Sequence, residues 1–179
     1  VAYQAVSGSG TAALSSLSKE ESLDDKSLAE LKDGYYTRPI ARNVIPLAGN
    51  LLDNGYSDEE MKFVHESKKI LGIPELVVEP SNARVGVRTG HGVFCSAVFE
   101  KNINTDEAID ELNNFEGVQY WSETLATPLD AENNYDVLVS RLRIGLSSPK
   151  IINFWCVSDN LLKGAALNAV QIAKYLIQK

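Results

Sequence analysis

The segment Asp159-Asn-Leu-Leu-Lys-Gly-Ala-Ala-Leu-Asn-Ala-Val-Gln-Ile-Ala173 predicts a helix that is apolar around most of its circumference. Asp159 is a suitable N-cap, because its short carboxylate can accept hydrogen bonds from the first free amides of a helix. The polar residues recur every three to four positions and form one narrow stripe, at Asn168, Gln171, Tyr175 and Gln178. A helix with so much apolar surface is expected to be covered on more than one side.

Upstream of this segment, predicted helices and strands alternate without a repeated unit. Ser57–Leu71 has the clearest helical signals, with a Ser57/Glu60 capping box at its start and Gly72 after its end. A shorter helix is predicted to begin at Asn104. Strand-like runs occur at 1–6, 75–89, 92–100, 135–144 and 151–157. This mixture predicts an α+β fold with a mixed, largely antiparallel sheet.

Composition limits the classes of function. The chain has 179 residues, which suits one domain, and its formal net charge of −7 argues against binding to nucleic acid or anionic membranes by bulk attraction. No run of eighteen apolar residues and no signal peptide is visible. We expect Cys95 and Cys156 to be buried, reduced thiols, which suits a cytoplasmic protein. Neither cysteine has metal-ligand spacing with the two histidines, so we expect no metal site.

Two groups of charged residues could form a binding site. Lys62, Glu66 and Lys69 lie within about 60° of one another on the predicted helix. They could be a solvated face with ion pairs, or the wall of a site for a small zwitterionic or phosphorylated ligand. Arg84 shares a strand face with Arg88, and an inward arginine needs a carboxylate or phosphate partner.

Several separated motifs resemble, in the same order, those of aspartate-semialdehyde dehydrogenases. Besides the 159–173 segment, the motifs are YQAVSGSG at 3–10, PIARNVIP at 39–46, DNGYSDEEMKFVHESKKILG at 53–72, RVGVRTGH at 84–91 and VSRLR at 139–143. The resemblance implies a C-terminal substrate-binding and dimerisation domain, with helices on one sheet face as in glyceraldehyde-3-phosphate dehydrogenase-like enzymes. Residues 1–159 would form that domain, and residues 160–179 a helix that packs on a nucleotide-binding domain.

The resemblance also implies roles for individual residues in substrate binding. Arg84 would hold the substrate α-carboxylate, and Glu66 and Lys69 would contact the substrate, with Lys69 facing its phosphate. His91 would be the general acid/base and Gln4 would orient the acyl group. From the residues alone, His91 at a turn and Gln4 in a strand are more often structural.

The cofactor implied by the resemblance is NADP, bound mostly by a part that these 179 residues do not contain. In this chain the loop with Ser7, Gly8 and Gly10 would approach the dinucleotide, and Asn160 and Gln171 match positions near it. Both amides are equally explained by helix packing. The chain departs from the family's usual residues at Gly86, where proline is commoner, and at Gly92, where serine is commoner.

The implied reaction reduces aspartyl-β-phosphate with NADPH to the semialdehyde and phosphate, in lysine, threonine and methionine biosynthesis. It requires a cysteine thiolate and a glycine-rich nucleotide-binding turn, and we find neither motif in these residues. We therefore expect a fragment of a longer, homodimeric enzyme that is inactive alone. The alternatives are a catalytically dead paralogue that dimerises or binds a metabolite, and a related acyl-phosphate reductase. Against the latter, Glu66 favours a substrate with a free amine.

Overall fold

The computed structural model describes residues 1–178, so Lys179 at the end of the predicted C-terminal segment lies outside the described residues. The chain divides into two compact units, of which the first is Val1–Arg88 and the second begins at Thr89. The sequence also predicts a boundary after residue 159, beyond which the last helix would pack on a nucleotide-binding domain. That boundary stays a prediction.

The first unit contains three short strands and three helices. The strands are β1 (Ala2–Gln4), β2 (Val44–Ile45) and β3 (Asn82–Val85), and the helices are α1 (Thr11–Glu21), α2 (Asp25–Glu30) and α3 (Asp58–Leu71). Strand β3 lies in the centre, parallel to β1 and antiparallel to β2. Arg84 is thereby opposite Gln4 on one side and Ile45 on the other.

A buried carboxylate organises the core of this unit. The core consists of apolar residues from α1, α2 and the connection to β2, namely Val6, Ala13, Leu17, Leu28, Ile40, Ala41 and Ile45. Glu20 is 1% exposed and accepts hydrogen bonds from the amides of Ile40 and Ala41 at 2.6 and 2.9 Å. The carbonyl of Ile40 in turn lies where a Cβ on Gly86 would come within 2.6 Å, which explains glycine at a position where proline is commoner.

Helix α3 begins and ends as the sequence predicts. Ser57 accepts from the Glu60 amide and Glu60 accepts from the Ser57 amide, so the capping box is confirmed. Gly72 ends the helix with φ 66°, in the left-handed region. The end of the helix is apolar and exposed, since Leu71 is 61% exposed and its neighbours Ile70 and Ile73 are exposed as well.

The second unit is a four-stranded sheet with three helices. Its strands are β4 (His91–Val98), β5 (Val118–Trp121), β6 (Val137–Ile144) and β7 (Ile151–Ser158), and its helices are α4 (Thr105–Asn114), α5 (Pro128–Ala131) and α6 (Leu167–Ile177). The strand order is β4-β7-β6-β5, with antiparallel pairs except the parallel pair of β5 and β6. Ala126, Ala131, Leu138 and Val157 form its small core beneath two tryptophans.

The predicted fold class is confirmed, while some strand limits are wrong. Three of the five strand pairings within the two units are antiparallel, as a mixed, largely antiparallel α+β fold requires. The predicted strand 75–89 is reduced to Asn82–Val85. Pro80 precedes it and has no amide to donate to a neighbouring strand. Strand β5 was not predicted, because its four residues after Gly117 are too short to show a clear alternation.

The last helix is capped as predicted but is not buried by the rest of this chain. Asp159 accepts hydrogen bonds from the amides of Leu161 and Leu162 at 2.8 and 3.0 Å. A single π-helical turn, Leu162–Ala166, then leads into α6. The apolar side chains of α6 are exposed, among them Val170, Ile172, Leu176 and Ile177. The burial expected from sequence is thus not provided by residues 1–178. No helix in this range has the length and apolar character needed to cross a bilayer.

Candidate functional site

Arg84 is the most unusual charged residue of the first unit. Its side chain emerges from the central strand β3, and the residue is only 6% exposed. One guanidinium nitrogen, Nη1, donates to the carbonyl of Ala5 at 2.7 Å, while Nε is buried and makes no hydrogen bond. Burial lowers the pKa of the Arg84 guanidinium, and nearby Tyr36 and Glu59 oppose that shift. A buried guanidinium with unused donors is suited to bind an oxyanion.

A carboxylate and an amide lie close to this guanidinium. Glu59 in the first turn of α3 accepts from the side-chain amide of buried Gln4, with 3.5 Å between nitrogen and oxygen. The other oxygen of Glu59 forms an ion pair with Lys62 at 2.6 Å. Glu59 is therefore electrostatically linked to Arg84 and hydrogen-bonded to Gln4. A carboxylate, an ammonium and a guanidinium in one unit could together bind an amino acid that also carries a phosphate.

The close approach of α3 to this region depends on a glycine. Gly49 has φ 85°, and a Cβ there would lie 2.0 Å from an oxygen of Asp58 and 2.8 Å from Cγ of Glu59. Asp58 itself accepts from the backbone and side chain of Asn50, and these hydrogen bonds lower the pKa of its carboxyl group. The start of α3, which carries Glu59, is thus held in place by the preceding loop.

The two α3 residues predicted from the family resemblance lie further along the same helix. Glu66 is exposed and lines, with Glu59 and Lys62, a cleft of about 230 Å³. Its charge contributes to the raised pKa of Lys62, although the main cause of that shift is Glu59. Lys69 is exposed and lies outside the lining of this cleft. The roles given to Glu66 and Lys69 stay predictions.

Glu59 was not predicted as a site residue, although the spacing of charged residues along α3 indicates it. Glu59, Lys62, Glu66 and Lys69 follow one another at intervals of three, four and three residues, so they form one stripe along α3. Extending the charged wedge by one turn towards the N-terminus would have included Glu59. What the spacing could not show is which part of the stripe lies beside Gln4.

The predicted dinucleotide loop is an ordered turn. Val6–Ser9 forms one turn of 3-10 helix, and α1 begins directly after Gly10, whose φ is 90°. Ser7 is buried, and its amide donates to the carbonyl of Arg88 at 2.9 Å. Gly8 and Gly10 are exposed. Their missing side chains leave backbone accessible at the N-terminal end of a helix, which suits a phosphate-bearing ligand.

His91 belongs to the second unit, where it is the first residue of β4 and is half-buried. The turn before it is held by Asn160, whose side-chain oxygen accepts from the amide of Gly90 at 3.0 Å. Gly90 has φ 96°, and a Cβ there would lie 2.9 Å from backbone atoms of Pro128. This gives Asn160 a visible function, namely fixing the turn that presents His91. The predicted convergence of His91 and Arg84 on one ligand stays a prediction.

The remaining candidates carry little information about chemistry. Gln171 is exposed on α6 and accepts from the ammonium of Lys163 at 3.4 Å. Cys95 and Cys156 are free thiols, but each is half-buried rather than buried as the sequence predicted. Burial raises the pKa of both thiols, that of Cys156 to about 11, which is the opposite of what a nucleophile needs. Within residues 1–178, no three His, Cys, Asp or Glu side chains are grouped so that they could hold a metal ion.

Known proteins are similar to this chain in both sequence and fold. Residues 1–163 match the family model described as "Semialdehyde dehydrogenase, dimerisation domain". The aspartate-semialdehyde dehydrogenase of Corynebacterium glutamicum is 41% identical over 98% of this chain and 55% of its own length, and that of Bacillus subtilis is 36% identical over 97% and 54%. The chain thus spans about half the length of these curated relatives.

Solved structures agree with the sequence matches. The crystal structure of aspartate semialdehyde dehydrogenase II from Vibrio cholerae superimposes with a TM-score of 0.93 at 36% identity, covering 99% of this chain and 53% of that one. A second structure of that enzyme, complexed with ASA, gives a TM-score of 0.89.

The fold is that of an α+β domain of the dehydrogenase type. The chain belongs to the semialdehyde dehydrogenase family and comprises its dimerisation domain.

Proposed function

We propose that this chain is the substrate-binding and dimerisation part of an NADP-dependent aspartate-semialdehyde dehydrogenase. In the proposed reaction aspartyl-β-phosphate is reduced to aspartate semialdehyde with release of phosphate, in lysine, threonine and methionine biosynthesis. The observation that carries the proposal is the buried, incompletely hydrogen-bonded guanidinium of Arg84 beside Glu59 and Gln4. The consistent name of the relatives does not favour a catalytically dead paralogue.

The substrate offers a charged group for each charged residue of the site. Arg84 binds its α-carboxylate, because a guanidinium presents paired donors that match a carboxylate. Glu59 binds its α-ammonium, and Lys62 faces its phosphate group, which is released in the reaction. Glu66 and Lys69 are the competing assignment for the last two roles, and each lies about two turns further along α3 than the residue it would replace.

Gln4 and His91 act on the reacting carbon rather than on the charged ends of the substrate. Gln4 is buried, and its amide, oriented by Glu59, positions the acyl group. His91 is the general acid/base, held at the start of β4 by the turn that Asn160 fixes. The thiolate nucleophile comes from outside these residues, since burial raises the pKa of both thiols of this chain and so disfavours their thiolate forms.

In the proposed direction the reduced cofactor, NADPH, would supply the hydride when bound, and this chain would contribute only part of its site. Gly8 and Gly10 fit such a group, because both are exposed and a Cβ on Gly10 would meet nothing within 4 Å. Ser7 fixes the turn, because its amide donates to the carbonyl of Arg88. Gln171 would approach the cofactor from α6, and Asn160, which also holds the turn before His91, would approach it from the start of the same C-terminal segment.

The proposal includes a homodimer in the cytoplasm. The dimerisation-domain match supports the homodimer, as do large apolar side chains that are exposed in the second unit, including Phe99, Phe115 and Leu146. Two reduced cysteines support a reducing compartment.

The activity is tested in the intact protein that contains this chain. We expect phosphate-dependent reduction of NADP with L-aspartate semialdehyde, followed by NADPH absorbance. An N-acylated semialdehyde should be a poor substrate, because its amide cannot carry the charge that Glu59 would pair with. Absence of turnover with aspartate semialdehyde, or equal turnover of the acylated analogue, would reject the proposal.

The assignment on α3 is tested by two matched variants, Glu59→Gln and Glu66→Gln. Each removes one negative charge and keeps nearly the same shape. We expect Glu59→Gln to raise KM for the semialdehyde roughly tenfold or more, as for the loss of a charged hydrogen bond, and Glu66→Gln to change it little. The reverse order of effects would transfer the role to Glu66.

A further inference from the structure

Tyr36 shares an unusual property with Arg84. Its hydroxyl oxygen is buried without a hydrogen bond, and the same holds for Nε of Arg84; these are the two such side-chain atoms in residues 1–178. The ring of Tyr36 packs against the core of the first unit and contacts the ring of Tyr35 edge-on, with centroids 5.0 Å apart. Tyr36 is therefore held in place by apolar contacts, while its hydroxyl has no partner.

The two groups are close enough to interact electrostatically. Tyr36 packs against the cluster that contains Val6, and Arg84 donates to the carbonyl of the preceding residue, Ala5. After burial, Tyr36 is also the largest influence on the pKa of the Arg84 guanidinium. Both residues belong to the first unit. Leaving a buried hydroxyl and a buried guanidinium N–H unpaired is costly, and natural proteins keep such groups mainly where they serve a function.

The chemistry of the two groups determines what can satisfy both. Arginine has donors only, and the hydroxyl of tyrosine has one proton to donate. A single partner that completes both must accept at least two hydrogen bonds, and a negative charge suits the guanidinium best. A carboxylate or a phosphate has these properties.

The hydrogen bond to Ala5 decides which edge of Arg84 is available. Nη1 donates one of its two N–H groups to the Ala5 carbonyl at 2.7 Å, whereas Nε is buried and unpaired, so the edge formed by Nε and Nη2 is the one best suited to bind an anion with two parallel N–H groups. That edge includes the unpaired N–H of Nε. An anion bound there would face the guanidinium that Tyr36 also influences.

We infer that Tyr36 is a substrate-binding residue whose hydroxyl donates to the oxyanion held by the Nε edge of Arg84, and that this oxyanion is the carboxylate of the amino-acid substrate. The inference rests on the proposed function. It adds a neutral donor to the charged groups of the site, and it predicts side-on rather than end-on binding by Arg84.

The test is Tyr36→Phe in the intact protein, with Tyr56→Phe as the matched control. Tyr56 lies in the same unit, is exposed, and already donates to Glu79 at 3.2 Å, so it undergoes the same chemical change outside the site. We expect Tyr36→Phe to raise KM for aspartate semialdehyde roughly tenfold or more while leaving KM for phosphate and NADP within about twofold. Tyr56→Phe should leave all three unchanged.

Thermal unfolding separates a binding role from a structural one. Because the Tyr36 hydroxyl is unpaired when no ligand is bound, its removal should leave the unfolding midpoint of the ligand-free protein unchanged or higher. A lowered midpoint with an unchanged KM would show a structural hydroxyl and overturn the inference. A raised KM for phosphate alone would overturn the assignment to the carboxylate.

These outcomes are distinct from failure of the proposed function. If the wild-type protein does not turn over aspartate semialdehyde, the function fails. If it does, and Tyr36→Phe has the wild-type KM for that substrate, only the inference about Tyr36 fails.

Discussion

At the scale of single residues, Arg84 is defined by the geometry of its remaining donors. Nη1 is committed to Ala5, so the protein uses the planar shape of the guanidinium as well as its charge. Arg84→Lys keeps the charge but cannot both satisfy Ala5 and grip a carboxylate with two parallel N–H groups. We expect KM for aspartate semialdehyde to rise by roughly 10- to 100-fold, from the range for charged hydrogen bonds. A wild-type KM in steady-state assays would contradict the role of Arg84.

The thiols provide a second prediction at the residue scale. The pKa of Cys156 is raised from 9.0 to about 11 by burial, with Cys95 contributing. Between these two values the unfolded chain has lost the proton that the folded chain retains. The contribution of the thiol to stability is therefore complete below about pH 9 and is lost as the pH rises through about 11. Urea unfolding over this range should show a decline that Cys156→Ala lacks, and parallel curves for the two proteins would contradict the shift.

At the scale of elements, strand β4 carries a glycine, Gly92, where the family resemblance suggests serine. A Cβ on Gly92 would lie 2.0 Å from the ring of Trp155, and that ring also donates to the carbonyl of Ala126 at 2.7 Å. Gly92→Ser should therefore displace the tryptophan and destabilise the protein by about 1–3 kcal/mol.

A matched glycine provides the control for this prediction. Gly164 is exposed, and a Cβ there would have no neighbour closer than 4.0 Å, so Gly164→Ser should be nearly neutral. Urea unfolding and tryptophan fluorescence measure both variants. Trp155→Phe should lower the free energy of unfolding less in the Gly92→Ser background than in the wild type, because the serine has already displaced the tryptophan. Strictly additive effects of the two substitutions would contradict a contact between these residues.

The turn before β4 supplies a second prediction at this scale. Asn160→Ala removes the acceptor for the Gly90 amide, whereas Asn160→Asp keeps an acceptor oxygen at the same place. We expect the alanine variant to lower kcat through misplacement of His91, and the aspartate variant to retain most of it. A change confined to KM for NADP in both variants would instead assign Asn160 to the cofactor.

At the scale of the whole molecule, the chain holds binding groups and lacks an activated nucleophile in its described part. Both thiols have raised pKa values, whereas the proposed chemistry needs a thiolate. We therefore predict that the 179-residue polypeptide alone gives no phosphate-dependent NADPH formation with aspartate semialdehyde. The intact protein serves as the positive control, and measurable turnover by the polypeptide alone would contradict the prediction.

Local signals allowed much of the fold to be predicted. The capping box of α3, the glycine that ends it and the Asp159 cap depend on residues a few positions apart, so they can be recognised in the sequence. The predicted strand at 75–89 and the missed strand β5 show the limit of such signals. A strand exists only where a neighbour accepts its hydrogen bonds, and that neighbour is remote in the chain.

The sequence by itself indicated the family through the resemblance of its motifs. It also determined the α+β class, the helix caps and the charged stripe of α3, because these follow from spacing and short-range hydrogen bonding. Only the tertiary structure decided which member of that stripe contacts the buried Gln4. Gln4 meets Glu59 across 55 positions of sequence, and Arg84 meets Ala5 across 79. No local periodicity records such contacts, since they arise from the packing of helix α3 and strands β1 and β3.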